Sequence, residues 1–167
     1  MEDFIMKYAI LIATLLAAGT AQAAEIKFPA DEPVASITIP DGWKTTPTES
    51  GIEVQADDDS VYFSIDAQDG KDTSETVKEA VEYLASQNVT VDDSTKKEEE
   101  GKLNGMQAYN VYWSGKDSDG PVTIGLTALV AGADKTLVIT YWGGTEEQKA
   151  HGDEIGAIFN SLKPITQ

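Results

Sequence analysis

The change of hydrophobic period at Gly70 constrains this chain more than any other feature. From Val61 to Ala67 the residues alternate. Val61, Phe63, Ile65 and Ala67 fall on one side, and Tyr62, Ser64 and Asp66 on the other. That is the period of a strand with one face on a core. From Ser74 to Gln87 the period lengthens, with Val77, Ala80, Val81 and Leu84 at helical spacing and Glu75, Lys78, Glu79 and Glu82 outside. Asp72 to Glu75 supplies capping oxygens and acid for the first turn.

Strand patterns lie on both sides of this helix. Ala35 to Pro40 alternates and ends in the turn Pro40-Asp41-Gly42; Ile52 to Gln55 is a short strand, with Asp57-Asp58-Asp59 as the turn after it. Ala24 to Pro33 reads as a lead-in and Thr45 to Ser50 as a polar, turn-rich stretch. Lys96 to Glu100 is a solvated edge strand or loop. Met106 to Ser114 puts Tyr109, Val111 and Trp113 on one face and Tyr112 on the other. Val122 to Val130 and Lys135 to Trp142 are the most apolar segments and should lie centrally, joined by the hairpin loop Ala131 to Asp134. Thr145 to Gln148 fits a capping box. It opens a last helix with a stripe of Ile155, Ile158, Phe159 and Leu162, ended by Pro164. The expected fold is α+β, a mostly antiparallel central sheet with helices packed on it.

Residues 1–23 read as a secretory signal. Lys7 precedes the uncharged run Tyr8 to Ala18, and Ala21-Gln22-Ala23 is a small-x-small cleavage site. The run is shorter than the ~20 residues of a membrane span. Glu2 and Asp3 suit the positive end of a signal poorly, so Met6 is the better start. Residues 24–167 are then expected to form one domain with no integral membrane segment. No cysteine follows the cut, so no lipid anchor is expected, and the expected location is the periplasm or the exterior. Zero cysteines also exclude disulfides and thiolate chemistry.

Lys7, Glu2 and Asp3 account for −1 of the −17 net charge, which leaves −16 on the mature chain. All 12 basic residues are lysines. Such a surface repels nucleic acid and anionic lipid, so no nucleic-acid partner is expected.

The residues Ile39-Pro40-Asp41-Gly42-Trp43, the strand led by Asn104-Gly105-Met106-Gln107-Ala108-Tyr109, and the final Asn160-Ser161-Leu162 resemble the PsbP-like family, which includes bacterial DcrB-like envelope proteins. The resemblance spans about residues 34–165 and implies a central antiparallel sheet between helices, a PsbP-like α/β/α sandwich. It also implies a non-enzymatic adaptor or chaperone-like role with an envelope protein as partner. The calcium and chloride retention associated with PsbP maps onto no ligand motif here.

Candidate chemistry is sparse. His151 is the single histidine, readable as a general base at a cleft mouth or as a half-buried helix residue. Trp43, Tyr112, Tyr141 and Trp142 are candidates for a binding cleft at the sheet's end with His151 beside it, or else for core packing. The acidic groups Asp57 to Asp59, Asp66, Asp69 and Asp72, and Asp117 and Asp119 lack the spacing of a calcium loop. Weak calcium binding, no dedicated metal site and no cofactor are expected. Three functions follow: a non-catalytic envelope binder, an immunity protein whose acidic surface meets a basic toxin, and a hydrolase using His151 with a serine or aspartate. No Gly-x-Ser-x-Gly elbow supports the last.

Overall fold

The computed structural model describes residues 23–70, 72–132 and 134–165. The proposed signal, apart from Ala23, and Ala133 of the hairpin loop lie outside the described residues. The elements are β1 (Ala24–Phe28), β2 (Ala35–Ile39), β3 (Lys44–Pro47), β4 (Gly51–Gln55), β5 (Val61–Asp69), α1 (Thr73–Ser86), β6 (Thr90–Leu103), β7 (Met106–Lys116), β8 (Pro121–Val130), β9 (Lys135–Gly143), α2 (Thr145–Ala150), α3 (Gly152–Ser161) and β10 (Lys163–Pro164).

Seven strands form the main sheet in the order β3-β4-β5-β9-β8-β7-β6, and β1-β2-β10 form a small one. Every neighbouring pair is antiparallel. The period change at Gly70 explains the topology: α1 carries the chain from β5 to the far edge, and the meander β6 to β9 returns to pair with β5. The two most apolar strands, β8 and β9, are interior, as their composition requires.

Alternation sorts the side chains into two cores. Val61, Phe63 and Ile65 pack with Ile37 and Ile39 of the small sheet and with Ile158 and Leu162. On the other face Val111, Trp113, Ile124, Leu126, Val138 and Trp142 pack with Ala80 and Leu84 of α1. Asp72 caps α1, its carboxylate accepting from the Ser74 N–H at 2.7 Å. The layers are therefore α1, main sheet, then the small sheet with α3.

The structure departs from the sequence expectations in four places. The lead-in contains β1, paired to β2 in the register Ala24↔Ile39. The polar stretch after Trp43 contains β3, an edge strand whose four residues are all exposed; with no face buried, it has no hydrophobic period to read. The capping box does not form: Gly144 is the N-cap without a side-chain bond, and Gln148 instead donates to the carbonyls of Thr123 (2.9 Å) and Gly143 (3.0 Å). Finally, the last helix is two, broken at His151, which ends α2 and begins α3. Pro164 lies beyond Ser161, the last residue of α3, and joins β10 against β2.

β6 resolves the ambiguity of the charged stretch as an edge strand. It is mostly exposed and rich in Lys and Glu, and its register shifts between Asp92 and Lys97. Charge and irregularity of this kind keep an edge from pairing with another chain.

Candidate functional site

α3 lies over the main sheet but does not fill the space beneath it. Between them is a cavity of about 360 Å³, lined from α3 by Gly152, Ile155 and Phe159, and from the sheet by Phe63, Ile139 and Tyr141 among others. Ile155 and Phe159 are spaced to share one helix face, and both are half-buried while Ile158 is 1 % exposed. The gap arises from side-chain size. On this face β7 and β8 present Ala108, Asn110, Gly125 and Thr127, whereas their opposite face presents Val111, Trp113, Ile124 and Leu126. Tyr141 lies across Gly125, its cross-strand partner, so closely that any Cβ there would overlap the ring. Burial pushes the Tyr141 hydroxyl up to about 12, so the phenol stays neutral.

The polar lining is mostly satisfied internally. The Thr127 hydroxyl donates to Asn110 Oδ1 at 2.8 Å, and Gln148 is held by its two carbonyls. Lys102 is the charged residue of the lining, and it forms no ion pair with any described residue. The turn that follows is fixed against α3. Asn104 and Gly105 have positive φ (51° and 84°), and the Asn104 amide donates to the carbonyls of Phe159 and Leu162, both at 2.8 Å. The turn thereby ties the end of β6 to the end of α3.

The structure does not gather the five sequence candidates into one cleft. Tyr141 lines the cavity. Tyr112 flanks Gly125 from the other side on the same face, outside the lining. Trp142 follows Tyr141 in the strand and therefore points to the opposite face, 4.3 Å from Tyr62 between ring centroids. Trp43 is buried behind the wall, against Phe63 (6.2 Å) and edge-on to His151 (5.6 Å). Sequence reasoning missed Lys102 and the helix–sheet gap, although Ile155 and Phe159 were legible as part of an apolar stripe.

His151 sits beside Gly152 at the cavity's rim. Its Nδ1 is 2.7 Å from Glu154 and its Nε2 is 3.2 Å from Asp58, so both ring nitrogens meet carboxylates and neither is bonded to a serine hydroxyl. Glu154 first and Asp58 second raise its pKa. Asp58 is lowered to about 2, chiefly by the Ser60 hydroxyl and N–H and then by His151. With both ring nitrogens taken up by carboxylates, the imidazole has no free nitrogen to offer a substrate hydroxyl and serves as a clamp. It fastens the α2–α3 junction to the β4–β5 turn. An oxygen of Asp57 also lies within 4.8 Å of the ligand atoms of Asp58 and His151, a spread a metal ion could draw together.

The loop considered for calcium is a hairpin turn. Asp117 Oδ1 accepts from the N–H groups of Asp119 (2.9 Å) and Gly120 (3.0 Å). It meets Asp58, Asp59, Glu146 and Glu147 around an acidic trough at the end of the main sheet.

No family model matches the sequence, and no curated protein matches it. The fold does match solved structures. Cyanobacterial PsbP (CyanoP) from Synechocystis sp. PCC 6803 superposes with a TM-score of 0.59 at 10% identity, covering 92% of this chain and 99% of that one. The fold is PsbP-like. LpqN, involved in cell envelope biogenesis of Mycobacterium tuberculosis, superposes with a TM-score of 0.57 at 13% identity, over 86% of this chain and 92% of that one. A Bacteroides thetaiotaomicron VPI-5482 structure gives 0.52 at 11% identity, over 80% of this chain and 46% of that one. Within the PsbP-like frame, the antiparallel main sheet and α3 are the parts that build the cavity. Among the described residues no helix is long and apolar enough to cross a membrane.

Proposed function

We propose that this chain is an exported, non-catalytic binding protein of the bacterial envelope, a single domain over residues 24–167, and that it binds an apolar group in the cavity beneath α3. The observation that carries this reading is the cavity itself: an apolar space walled by Phe63, Tyr141, Ile155 and Phe159 in a chain that otherwise presents acid to solvent. Its volume is at the small end of the range for ligand pockets. The signal-like leader and the fold shared with an envelope-biogenesis protein support the location. The clamped state of His151 weighs against the hydrolase alternative.

Calorimetric titration with neutral n-alcohols tests the reading. From octanol to dodecanol, affinity should rise about fourfold for each buried methylene until the cavity is full. Ile155→Glu, at a half-exposed position that tolerates charge without unfolding, should weaken dodecanol at least ~10-fold. Absence of binding, or binding independent of chain length, would contradict it.

A further inference from the structure

We infer that His151, Asp57 and Asp58 form a binding site for a divalent transition-metal ion such as zinc, set where the α2–α3 junction meets the β4–β5 turn. None of the three lines the cavity, so the inference is independent of what binds there.

The donors are of the right kind and already gathered. One imidazole nitrogen and two carboxylate oxygens lie within 4.8 Å of one another. His151 Nε2 and Asp58 Oδ2 are 3.2 Å apart. Two neighbouring ligands bound to one zinc ion at ordinary bond lengths stand roughly 3.0–3.4 Å from each other. The other contacts of each side chain fix it without using the atom that faces the ion. Glu154 Oε2 meets His151 Nδ1 at 2.7 Å, the carboxylate behind a ligating histidine that sets its tautomer and leaves Nε2 for the metal. Ser60 donates to Asp58 Oδ1 through its N–H (3.0 Å) and its hydroxyl (2.6 Å), so Oδ2 is the oxygen turned to the ring. The Asp57 carboxylate has no hydrogen-bond or ion-pair partner among the described residues. With Nδ1–H donated to Glu154, a neutral ring sets its Nε2 lone pair against Asp58 Oδ2. That contact needs a positive centre between the two atoms, and a metal ion supplies it in place of a second proton.

The donor set also selects the ion. Two carboxylates balance a divalent charge, and the imidazole favours zinc, copper or nickel over calcium and magnesium, which take oxygen ligands. Asp57 and Asp58 are exposed, so the remaining coordination positions are open to water. A bound ion would keep the clamp and join the turn to the helix junction through metal bonds.

Calorimetric titration of the untagged full chain with Zn2+ alone, near neutral pH in a non-chelating buffer, tests the site. One ion should bind per chain, and an equal concentration of Ca2+ should not displace it. His151→Gln and Asp57→Asn should each weaken Zn2+ at least ~10-fold, and Glu154→Gln about 10-fold by loosening the ring. Asp119→Asn, at an exposed acid of the neighbouring trough, should leave affinity within twofold. Because the Asp57 carboxylate bonds nothing in the fold, its variant keeps the test decisive even if His151→Gln folds poorly. Nitrogen NMR of the single histidine should show Zn2+ shifting Nε2 while Nδ1 keeps its proton. Zn2+ affinity unchanged in both His151→Gln and Asp57→Asn would mean general attraction to acid and overturn the inference. Displacement by equal Ca2+, or no Zn2+ binding, would overturn it as well.

Discussion

Strands β7, β8 and β9 are covered by a helix on each face, and the two covers differ. Beneath α1, Trp113, Ile124, Leu126 and Trp142 meet Ala80 and Leu84 in a filled core, where the tyrosine hydroxyls are linked while Trp113 Nε1 is buried without a hydrogen-bond partner among the described residues. Tyr83 donates to Glu53 at 3.0 Å and shares a 2.9 Å hydrogen bond with Tyr62. Beneath α3, the same strands present Ala108, Gly125 and Thr127, and a cavity remains. One face spends its side chains on stability. The other leaves helix and sheet with apolar surface not fully matched, which is how a binding site differs from a core. Neighbouring residues in one strand can serve either purpose: Tyr141 lines the cavity while Trp142 closes the opposite core.

Truncations on the two faces should give unlike results. Leu84→Ala, at a side chain with no exposure, should cost about 2–5 kcal/mol in denaturant unfolding. Ile155→Ala, at a half-buried wall beside an existing gap, should cost about 1 kcal/mol or less while weakening dodecanol binding. Equal costs would erase the distinction between the faces.

A smaller effect is expected at the rim. The folded-state pKa of His151 lies above its ordinary value, so the clamp contributes fully below pH ~6.5 and is lost as pH rises through the raised value. Thermal melts of the wild type between pH 6 and 9 should therefore decline relative to His151→Gln, by at most ~1 kcal/mol because its carboxylate partners are largely exposed. Parallel melts would show that the clamp does not hold the junction. Asp58 acts oppositely, its contribution present above pH ~3.8 and lost as pH falls towards about 2.

Much of this contrast was legible in the sequence, because alternation in β5, β7 and β9 assigns each residue to a face, and α1 shows its buried stripe by period. The small sheet's β1 and the edge strand β3 were not, since neither has a long run with one buried face. The break at His151 was hidden because its cause is tertiary, a bond to Asp58, 93 positions away. The cavity was the least legible feature. It depends on Gly125 and Ala108 being small where α3 passes. Single residue types suggested a site at Trp43, Tyr112, Tyr141, Trp142 and His151, but the parity of positions 141 and 142 already places those two on opposite faces.

The central claim is that ligand enters beneath α3 and not beneath α1. Methyl NMR of the isotope-labelled chain during titration with dodecanol tests it most directly. Shifts should concentrate on the methyls of Ile139 and Ile155, with those of Leu84, Ile124 and Leu126 unmoved. Shifts centred on the α1 core, or spread evenly over both faces, would contradict the account.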